Sequence, residues 1–144
     1  MNKFRVLLLF ALVATLFSCR SSKPAGYKTD SGGISVIHLN ESIPYERAYN
    51  SVIEAVASKY DLEFLDKDAG YGRTKWIYTL NDKGKYNKKY RVQVSFKFSY
   101  DKTRLTLKAD AQYGGESKWV NGYDSDVLKQ LKQDIEGTVG ITTR

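Results

Sequence analysis

The side chains that could do acid–base or metal chemistry are few in this sequence. His38 is the only histidine, so a histidine-based triad would have no alternative base, and zinc would depend on carboxylates and a single cysteine. Asp66-Lys67-Asp68 opens like a calcium-binding loop, but Gly70 stands at a ligand position and Ile77 at the position of the closing glutamate. We therefore expect a strand-end histidine, a turn at Asp66, no catalytic residue, no metal site and no cofactor.

Sugar chemistry is the next possibility. Acid pairs for glycoside hydrolysis can be drawn from any chain with 16 acids, so they carry little signal. Aromatic residues could stack on a sugar, but four of them alternate along predicted strands, which favours the core for most of them: Trp76, Tyr78, Phe96 and Phe98. Tyr71, Tyr86 and Trp119 fall in predicted loops instead, where aromatic residues are typical of partner contacts.

A run of cations surrounds a predicted hairpin tip. We refer to Lys83, Lys85, Tyr86, Lys88 and Lys89 as the basic segment, and Arg91 follows it. Lysines at such a tip can simply keep a strand edge solvated and unpaired. The alternative is a contact with an anionic surface, to which Tyr86 would add buried area. The sequence leaves both interpretations open.

The first twenty residues have the pattern of a secretory signal. Lys3 and Arg5 supply a positive start, and residues 6–17 form an almost unbroken apolar run. A membrane-spanning helix needs about 20 apolar residues, so this run is too short to span comfortably. Cys19 follows it and is the only cysteine, which excludes an internal disulfide. We expect residues 1–18 to be a signal peptide.

Leu16-Phe17-Ser18-Cys19 resembles the lipobox of bacterial lipoproteins, with a leucine three places before the cysteine and a small residue just before it. The resemblance implies cleavage before Cys19 and attachment of acyl chains such as palmitate, which would anchor the protein to a membrane. Arg20, rather than an aspartate, follows the cysteine. By the same resemblance this implies the outer membrane, with the domain facing the periplasm or the cell surface.

Residues 19–33 are rich in Ser, Lys and Gly without an apolar period, and we expect a flexible, lipidated tether. Residues 34–144 have the length of a single domain. The formal net charge is +7, and falls to +5 once Lys3 and Arg5 are removed with the signal peptide, which favours anionic neighbours such as lipid head groups, acidic proteins or peptidoglycan carboxylates. Nucleic acid is not expected as a partner of an exported protein, and 13% aromatic residues argue against disorder.

The first half of the domain predicts a strand over residues 34–39 and then an amphipathic helix. Ser42 is the expected N-cap of this helix and Pro44 its first-turn residue. Its apolar face recurs at three- and four-residue spacing and comprises Tyr45, Ala48, Tyr49, Val52, Ile53, Val56 and Tyr60. Residues 62–65 predict a second strand, a glycine-containing turn follows, and residues 73–80 predict a third strand.

The clearest strand covers residues 90–100. Its predicted inward face is Tyr90, Val92, Val94, Phe96, Phe98 and Tyr100, and the alternate residues face water. Residues 105–113 alternate in the same way, so the two segments predict an antiparallel hairpin with one wet face. A last helix is expected to begin at Asp124 or Ser125 and to end at Gly137 or Gly140.

The element order β-α-β-β-β-β-α predicts an α+β fold, an antiparallel sheet covered on one face by helices, of the helix-grip kind. The amphipathic helix, Leu62-Glu63-Phe64, a turn ending at Gly70 or Gly72, Thr74-Lys75-Trp76 and Tyr90-Arg91-Val92 together resemble the domains of BamC-type lipoproteins. Those proteins are accessory lipoproteins of the outer-membrane β-barrel assembly machine. This chain has one such domain where they have two, and a shorter tether.

Two functions follow as hypotheses. The first is a non-enzymatic binding or assembly module, with an envelope protein complex or an anionic envelope component as partner. The second is a lipid-anchored carrier that holds an apolar ligand in a cavity between the helices and the sheet. A filled core behind residues 90–100 favours the first, and an open apolar cavity there favours the second.

Overall fold

The computed structural model of the chain describes residues 23–30, 32–80, 84–115 and 118–140. Residues 1–18, Cys19 and Lys83 therefore lie outside the described residues. Within them the chain forms an eight-stranded antiparallel sheet and two helices. The predicted α+β class with an antiparallel sheet is confirmed.

The elements in chain order are β1 (Tyr27–Lys28), β2 (Ile34–His38), α1 (Tyr45–Ala57), β3 (Leu62–Asp66), β4 (Tyr71–Thr74), β5 (Ile77–Leu80), β6 (Tyr86–Phe98), β7 (Arg104–Tyr113), β8 (Val120–Asp124) and α2 (Ser125–Val139). Across the sheet the order is β1-β8-β7-β6-β4-β3. Strand β2 pairs with β7 next to β8, and β5 pairs with β6 next to β4.

The hairpin of β6 and β7 forms the centre of the sheet, because it carries the longest alternation of apolar and polar residues. Its pairing runs from Tyr90 opposite Tyr113 to Phe98 opposite Leu105. The inward side chains are at most 2% exposed: Tyr90, Val92, Val94, Phe96, Phe98, Leu105, Leu107, Ala109 and Ala111. The predicted inward face is confirmed over residues 90–98. It is wrong for Tyr100, which is fully exposed because the chain is already turning there.

Both helices pack on this inward face. Their apolar stripes supply the second half of the core, as Ala48, Tyr49, Val52 and Val56 from α1 and Leu128, Leu131, Ile135 and Val139 from α2. Burial of each large apolar side chain stabilises the fold by roughly 1.5–3 kcal/mol. Of the helices in the described residues, neither is both long enough and apolar enough to cross a membrane.

The two helix starts are stabilised differently. Asp124 caps α2, where its side chain accepts hydrogen bonds from the backbone N–H groups of Asp126 and Val127. At α1 the predicted cap is wrong. Pro44 holds the N-cap position, and the Ser42 hydroxyl donates to Asn40 Oδ1 at 2.7 Å. The C-cap of α2 is Gly140, one of the two predicted ends.

Two short strands that the sequence did not predict, β1 and β8, extend the sheet. Strand β1 lies within the stretch predicted as a tether, and pairs with β8. The Tyr27 ring is buried against Tyr90 and Tyr113, and its hydroxyl donates to the Val120 carbonyl at 2.8 Å. The folded part of the chain therefore begins before Ile34.

The third predicted strand is divided into β4 and β5. At the break, the backbone N–H of Lys75 donates to the Asp61 carbonyl, away from β6. The Thr74 hydroxyl replaces one strand hydrogen bond at this break, because it accepts a hydrogen bond from the Val94 backbone N–H at 3.0 Å. This interruption places Trp76 between two strands that lie along the same edge of β6.

Candidate functional site

The face of the sheet opposite the helices is lined by polar and charged side chains. We refer to it as the open face, and its members on the central hairpin are Arg91, Gln93, Ser95, Lys97, Thr106, Lys108, Asp110 and Gln112. Neither helix covers it, because the apolar stripes of α1 and α2 pack on the other side of the hairpin. Lys97, Lys108 and Asp110 are exposed on this face.

Two loops bring both tryptophans of the chain to Arg91. Trp76 lies between β4 and β5, and Trp119 directly precedes β8. The guanidinium carbon of Arg91 lies 4.9 Å from the centroid of the Trp76 ring and 4.4 Å from that of the Trp119 ring. Both distances are within the range of cation–π attraction. We refer to these three residues as the clamp, and it fixes a positive charge between two indoles.

A row of polar side chains crosses the strands at the level of the clamp. Arg91 lies opposite Gln112 on β7, which lies opposite Asn121 on β8. The Arg91 Nε–H donates to Gln112 Oε1 at 2.8 Å, and Gln112 Nε2 donates to Asn121 Oδ1 at 2.9 Å. Side chains directly opposite each other in a sheet are close enough for such bonds. The row therefore sets the orientation of the guanidinium group.

A cavity of about 290 Å³ opens on the same face, where β2 and β8 lie side by side on β7. Asn121 lines it together with Lys108, Asp110, Asp30 and Tyr123. A hydrogen bond from the Tyr123 hydroxyl to Asp30 raises the pKa of this tyrosine, which keeps the phenol protonated. The volume is near the lower end of small-molecule sites. Asn121 connects the cavity to the row that holds Arg91.

Tyr71 lies on the far side of the open face from this cavity. It is the first residue of β4 rather than a loop residue, and it lies opposite Lys97 of β6. Its ring centroid is 5.9 Å from that of Phe64 on β3, and Phe64 is 48% exposed. These two rings form an apolar border of the open face. Tyr71 and Trp119 lie on opposite sides of the central hairpin, so the structure does not bring them together.

The described part of the basic segment lies at the start of β6. Lys85 precedes the strand, and Tyr86, Lys88 and Lys89 are its first residues. Tyr86 is 72% exposed, and Lys88 and Lys89 are exposed as well. Lys83 lies outside the described residues. The segment leads directly into Arg91, so it is continuous with the clamp along the chain.

Two predicted core aromatics face away from the core. Ile77 of β5 lies opposite Val92 and faces inward, so its neighbours Trp76 and Tyr78 face outward. The assignment of these two to the core was wrong because both sides of this strand carry apolar residues, and alternation alone does not say which side is buried. Phe96 and Phe98, by contrast, are core residues as predicted.

The special position of Arg91 was missed by sequence reasoning. Its alternation with Tyr90 and Val92 indicates a water-facing residue, and nothing in the local sequence points to two distant tryptophans. His38 is exposed at the end of β2, the ordinary strand-end position expected of it. Of the residues predicted to make partner contacts, Trp119 lies in the clamp and Tyr71 lies at the apolar border. The others belong to the basic segment.

The space between the helices and the sheet is filled by side chains. The Tyr49 ring of α1 lies 6.1 Å from that of Phe96 and 5.9 Å from that of Phe98, centroid to centroid. Val52 and Val56 have no exposed surface. The Tyr49 hydroxyl is buried there and has no hydrogen-bond partner among the described residues. Burial is the main cause of the raised pKa of Tyr49.

Comparison with protein families and with curated proteins finds no match for this chain. The clamp is the most distinctive arrangement of side chains among the described residues.

Proposed function

We propose that this chain is a non-enzymatic binding module of the bacterial envelope, anchored at the outer membrane by lipid on Cys19, and that the open face contacts its partner. The clamp is the observation that carries this proposal. Trp and Arg, together with Tyr, are the residue types that contribute most to binding energy at interfaces. Trp76, Arg91 and Trp119 lie on a face that neither helix covers, and each is only half-buried.

The charge of the open face supports an anionic partner. Arg91, Lys97 and Lys108 face outward from the central hairpin, whereas Asp110 is the only acid in that set. A cationic face attracts acidic groups and raises the rate of encounter with them. The basic segment at the start of β6 adds to this field.

The filled core supports a binding module over a carrier of apolar ligands. A carrier needs space between helix and sheet, whereas the side chains there are in contact and nearly without exposed surface. The cavity on the open face contains the charged side chains of Asp30, Lys108 and Asp110, which are costly to cover with an apolar ligand.

The finer family assignment is part of the same proposal. Two helices on one face of an antiparallel sheet are what the helix-grip and BamC-like resemblance implies. We propose membership of that group, and with it an accessory role in an envelope assembly, on the strength of the sequence pattern.

The anchor is tested by labelling cells with radioactive palmitate. Cys19→Ala should abolish labelling and leave the protein unprocessed or released from the membrane, because no other cysteine is present. Labelling that persists in the variant would overturn the lipoprotein assignment.

The contact face is tested by charge reversal and crosslinking in intact envelopes. The double variant Lys97→Glu/Lys108→Glu should lose the main crosslinked product. The control Arg47→Glu/Lys129→Glu changes the same charge on exposed helix positions and should keep it. All four positions are exposed. The free energy of unfolding of each variant should therefore lie within about 0.5 kcal/mol per site of the wild-type value. Equal loss from both variants would overturn the assignment of the open face.

A further inference from the structure

The guanidinium group of Arg91 keeps donors that no described residue uses. Its Nε–H donates to Gln112, and its guanidinium carbon lies over two indole rings. Among the described residues, no carboxylate lies within ion-pair distance of it, and its two Nη groups donate to none of them. Arg has five N–H donors arranged as a planar fork, which matches the two oxygens of a carboxylate.

The clamp holds this fork in place before any ligand arrives. A flexible arginine loses side-chain entropy when it is fixed by a ligand, at a cost to affinity. Here the cation–π contacts with Trp76 and Trp119 and the hydrogen bond to Gln112 already hold the side chain. Arg91 is half-buried beside the indoles, where its charge attracts an anion more strongly than in bulk water.

The residues between the clamp and the cavity are suited to hydroxyl groups. The Asn121 Oδ1 atom accepts from Gln112, which leaves its amide hydrogens for a ligand. Asp110 is exposed in the cavity wall and can accept hydrogen bonds. A hydroxyl accepts from an amide and donates to a carboxylate at once. Most of the lining residues carry charged or hydrogen-bonding side chains, and Ile34 is the only aliphatic one among them.

A second cation lies at the far end of this surface. Lys108 lies opposite Ser95, and Gln112 opposite Arg91, so the two cations are four residues apart along the paired strands. At about 3.3 Å per residue this is roughly 13 Å. That span is longer than a single sugar ring, so the surface fits a chain of sugars better than a monosaccharide.

We propose that the clamp and the adjoining cavity form one binding site for an acidic saccharide, a sugar chain that bears carboxylate groups. One carboxylate binds the free edge of Arg91, and ring hydroxyls bind Asn121 and Asp110. Lys108 attracts a further carboxylate along the chain, against the repulsion of Asp30 and Asp110 in the same cavity wall. This inference rests on the proposed function, since it names the class of partner that the open face recognises.

Tryptophan fluorescence gives a direct assay, because both tryptophans of the chain belong to the clamp. The full lipidated protein, in a neutral detergent, is titrated with a galacturonic acid tetrasaccharide. The matched probes are a neutral galactose tetrasaccharide and a glutamate tetrapeptide. A saturable fluorescence change with the first probe, and at least about tenfold weaker binding of the other two, is the expected result.

The variants test which groups recognise the ligand. Arg91→Lys keeps the charge but removes the fork, and should weaken binding of the acidic tetrasaccharide about tenfold or more. Arg47→Lys on α1 is its matched control and should leave binding unchanged. Asn121→Ala should weaken binding several-fold, against Asn50→Ala as control. Because Asn121 lies at the surface, its variant tests the site even if Arg91→Lys unfolds.

Three results would overturn the inference. One is the absence of a fluorescence change with the acidic tetrasaccharide, and another is an equal response to the glutamate tetrapeptide, which would indicate a general anion site. The third is binding that Asn121→Ala leaves unchanged. If the saccharide fails while Lys97→Glu/Lys108→Glu still loses the envelope crosslink, the saccharide class is wrong and the contact face stands. If the control reversal on the helices loses the crosslink equally, the proposed function itself fails.

Discussion

Replacing Tyr90 or Tyr49 by phenylalanine removes the same hydroxyl group from the same core, but the two hydroxyls have different surroundings. The Tyr90 hydroxyl donates to Asp124 Oδ2 at 2.6 Å, and the other oxygen of that carboxylate caps α2. The Tyr49 hydroxyl is buried with no hydrogen-bond partner among the described residues. The two variants should therefore change the free energy of unfolding in opposite directions.

The magnitude for Tyr90→Phe follows from the burial of its partner. Asp124 is 6% exposed, so water can replace the lost donor only poorly. A hydrogen bond to a charged group contributes about 1.5–3 kcal/mol, and we expect Tyr90→Phe to lower stability by about 2 kcal/mol. Burial, followed by the bond to Asp124, raises the pKa of Tyr90 well above its ordinary value, so it remains a donor at neutral pH.

For Tyr49→Phe the cost of burying an unpaired hydroxyl disappears. That cost is about 1–3 kcal/mol. Removing the oxygen also loses some packing around it, so we expect the free energy of unfolding to rise by about 1 kcal/mol. In a domain of this size 1 kcal/mol corresponds to roughly 3–5 °C in Tm.

Urea unfolding measures both variants under the same conditions. The expected midpoints lie below the wild type for Tyr90→Phe and above it for Tyr49→Phe, with unchanged slopes. A loss of stability in Tyr49→Phe as large as that in Tyr90→Phe would refute the reasoning, because it would mean that the Tyr49 hydroxyl has a partner.

Further predictions concern the sheet, its turn and the basic segment. Phe96→Ala should lower the free energy of unfolding by about 3–5 kcal/mol and Lys97→Ala by less than about 0.5 kcal/mol, and equal losses in urea unfolding would mean that the strand faces are misassigned. The pKa of Asp101 is lowered to about 2, first by the Ser99 hydroxyl and then by the Thr103 backbone N–H. Because this value lies below the ordinary 3.8, the stabilisation by Asp101 is present above about pH 4 and is lost as the pH falls through 2. The difference in urea midpoint between wild type and Asp101→Asn should therefore shrink between pH 4 and pH 2, and a constant difference would contradict it. Changing the four lysines of the basic segment to Glu should leave Tm nearly intact and weaken envelope crosslinking most at low ionic strength. Crosslinking as strong as in the wild type at low salt would leave the segment a solvated loop.

Much of the core could be predicted from the sequence because the spacing of apolar residues within one strand or helix already shows which face is buried. The alternation over residues 90–98 gives the buried face of β6 directly, and the three- and four-residue spacing gives that of α1. The cap at Asp124 also depends only on residues that are close in the chain. These features need no knowledge of which strand pairs with which.

The missed features depend on distant pairings. Strand β1 has only two residues, and β8 contains Asn121 and Gly122, so neither shows an apolar period. Tyr78 and Ile77 are both apolar enough to be inward, and the choice between them is made by the register with β6. The clamp needs Trp76 and Trp119 on opposite sides of the central hairpin, which only the sheet order provides. The contact surface was therefore predicted in part, through Trp119, and its central arginine was not.

Photo-crosslinking in living cells tests the role of the open face most directly. A photoreactive amino acid is placed at Lys97 on the open face or at Lys129 on α2, both of which are exposed. We predict a discrete crosslinked product from position 97 and none from position 129. A product from position 129 with none from position 97 would contradict the assignment of the open face as the contact surface.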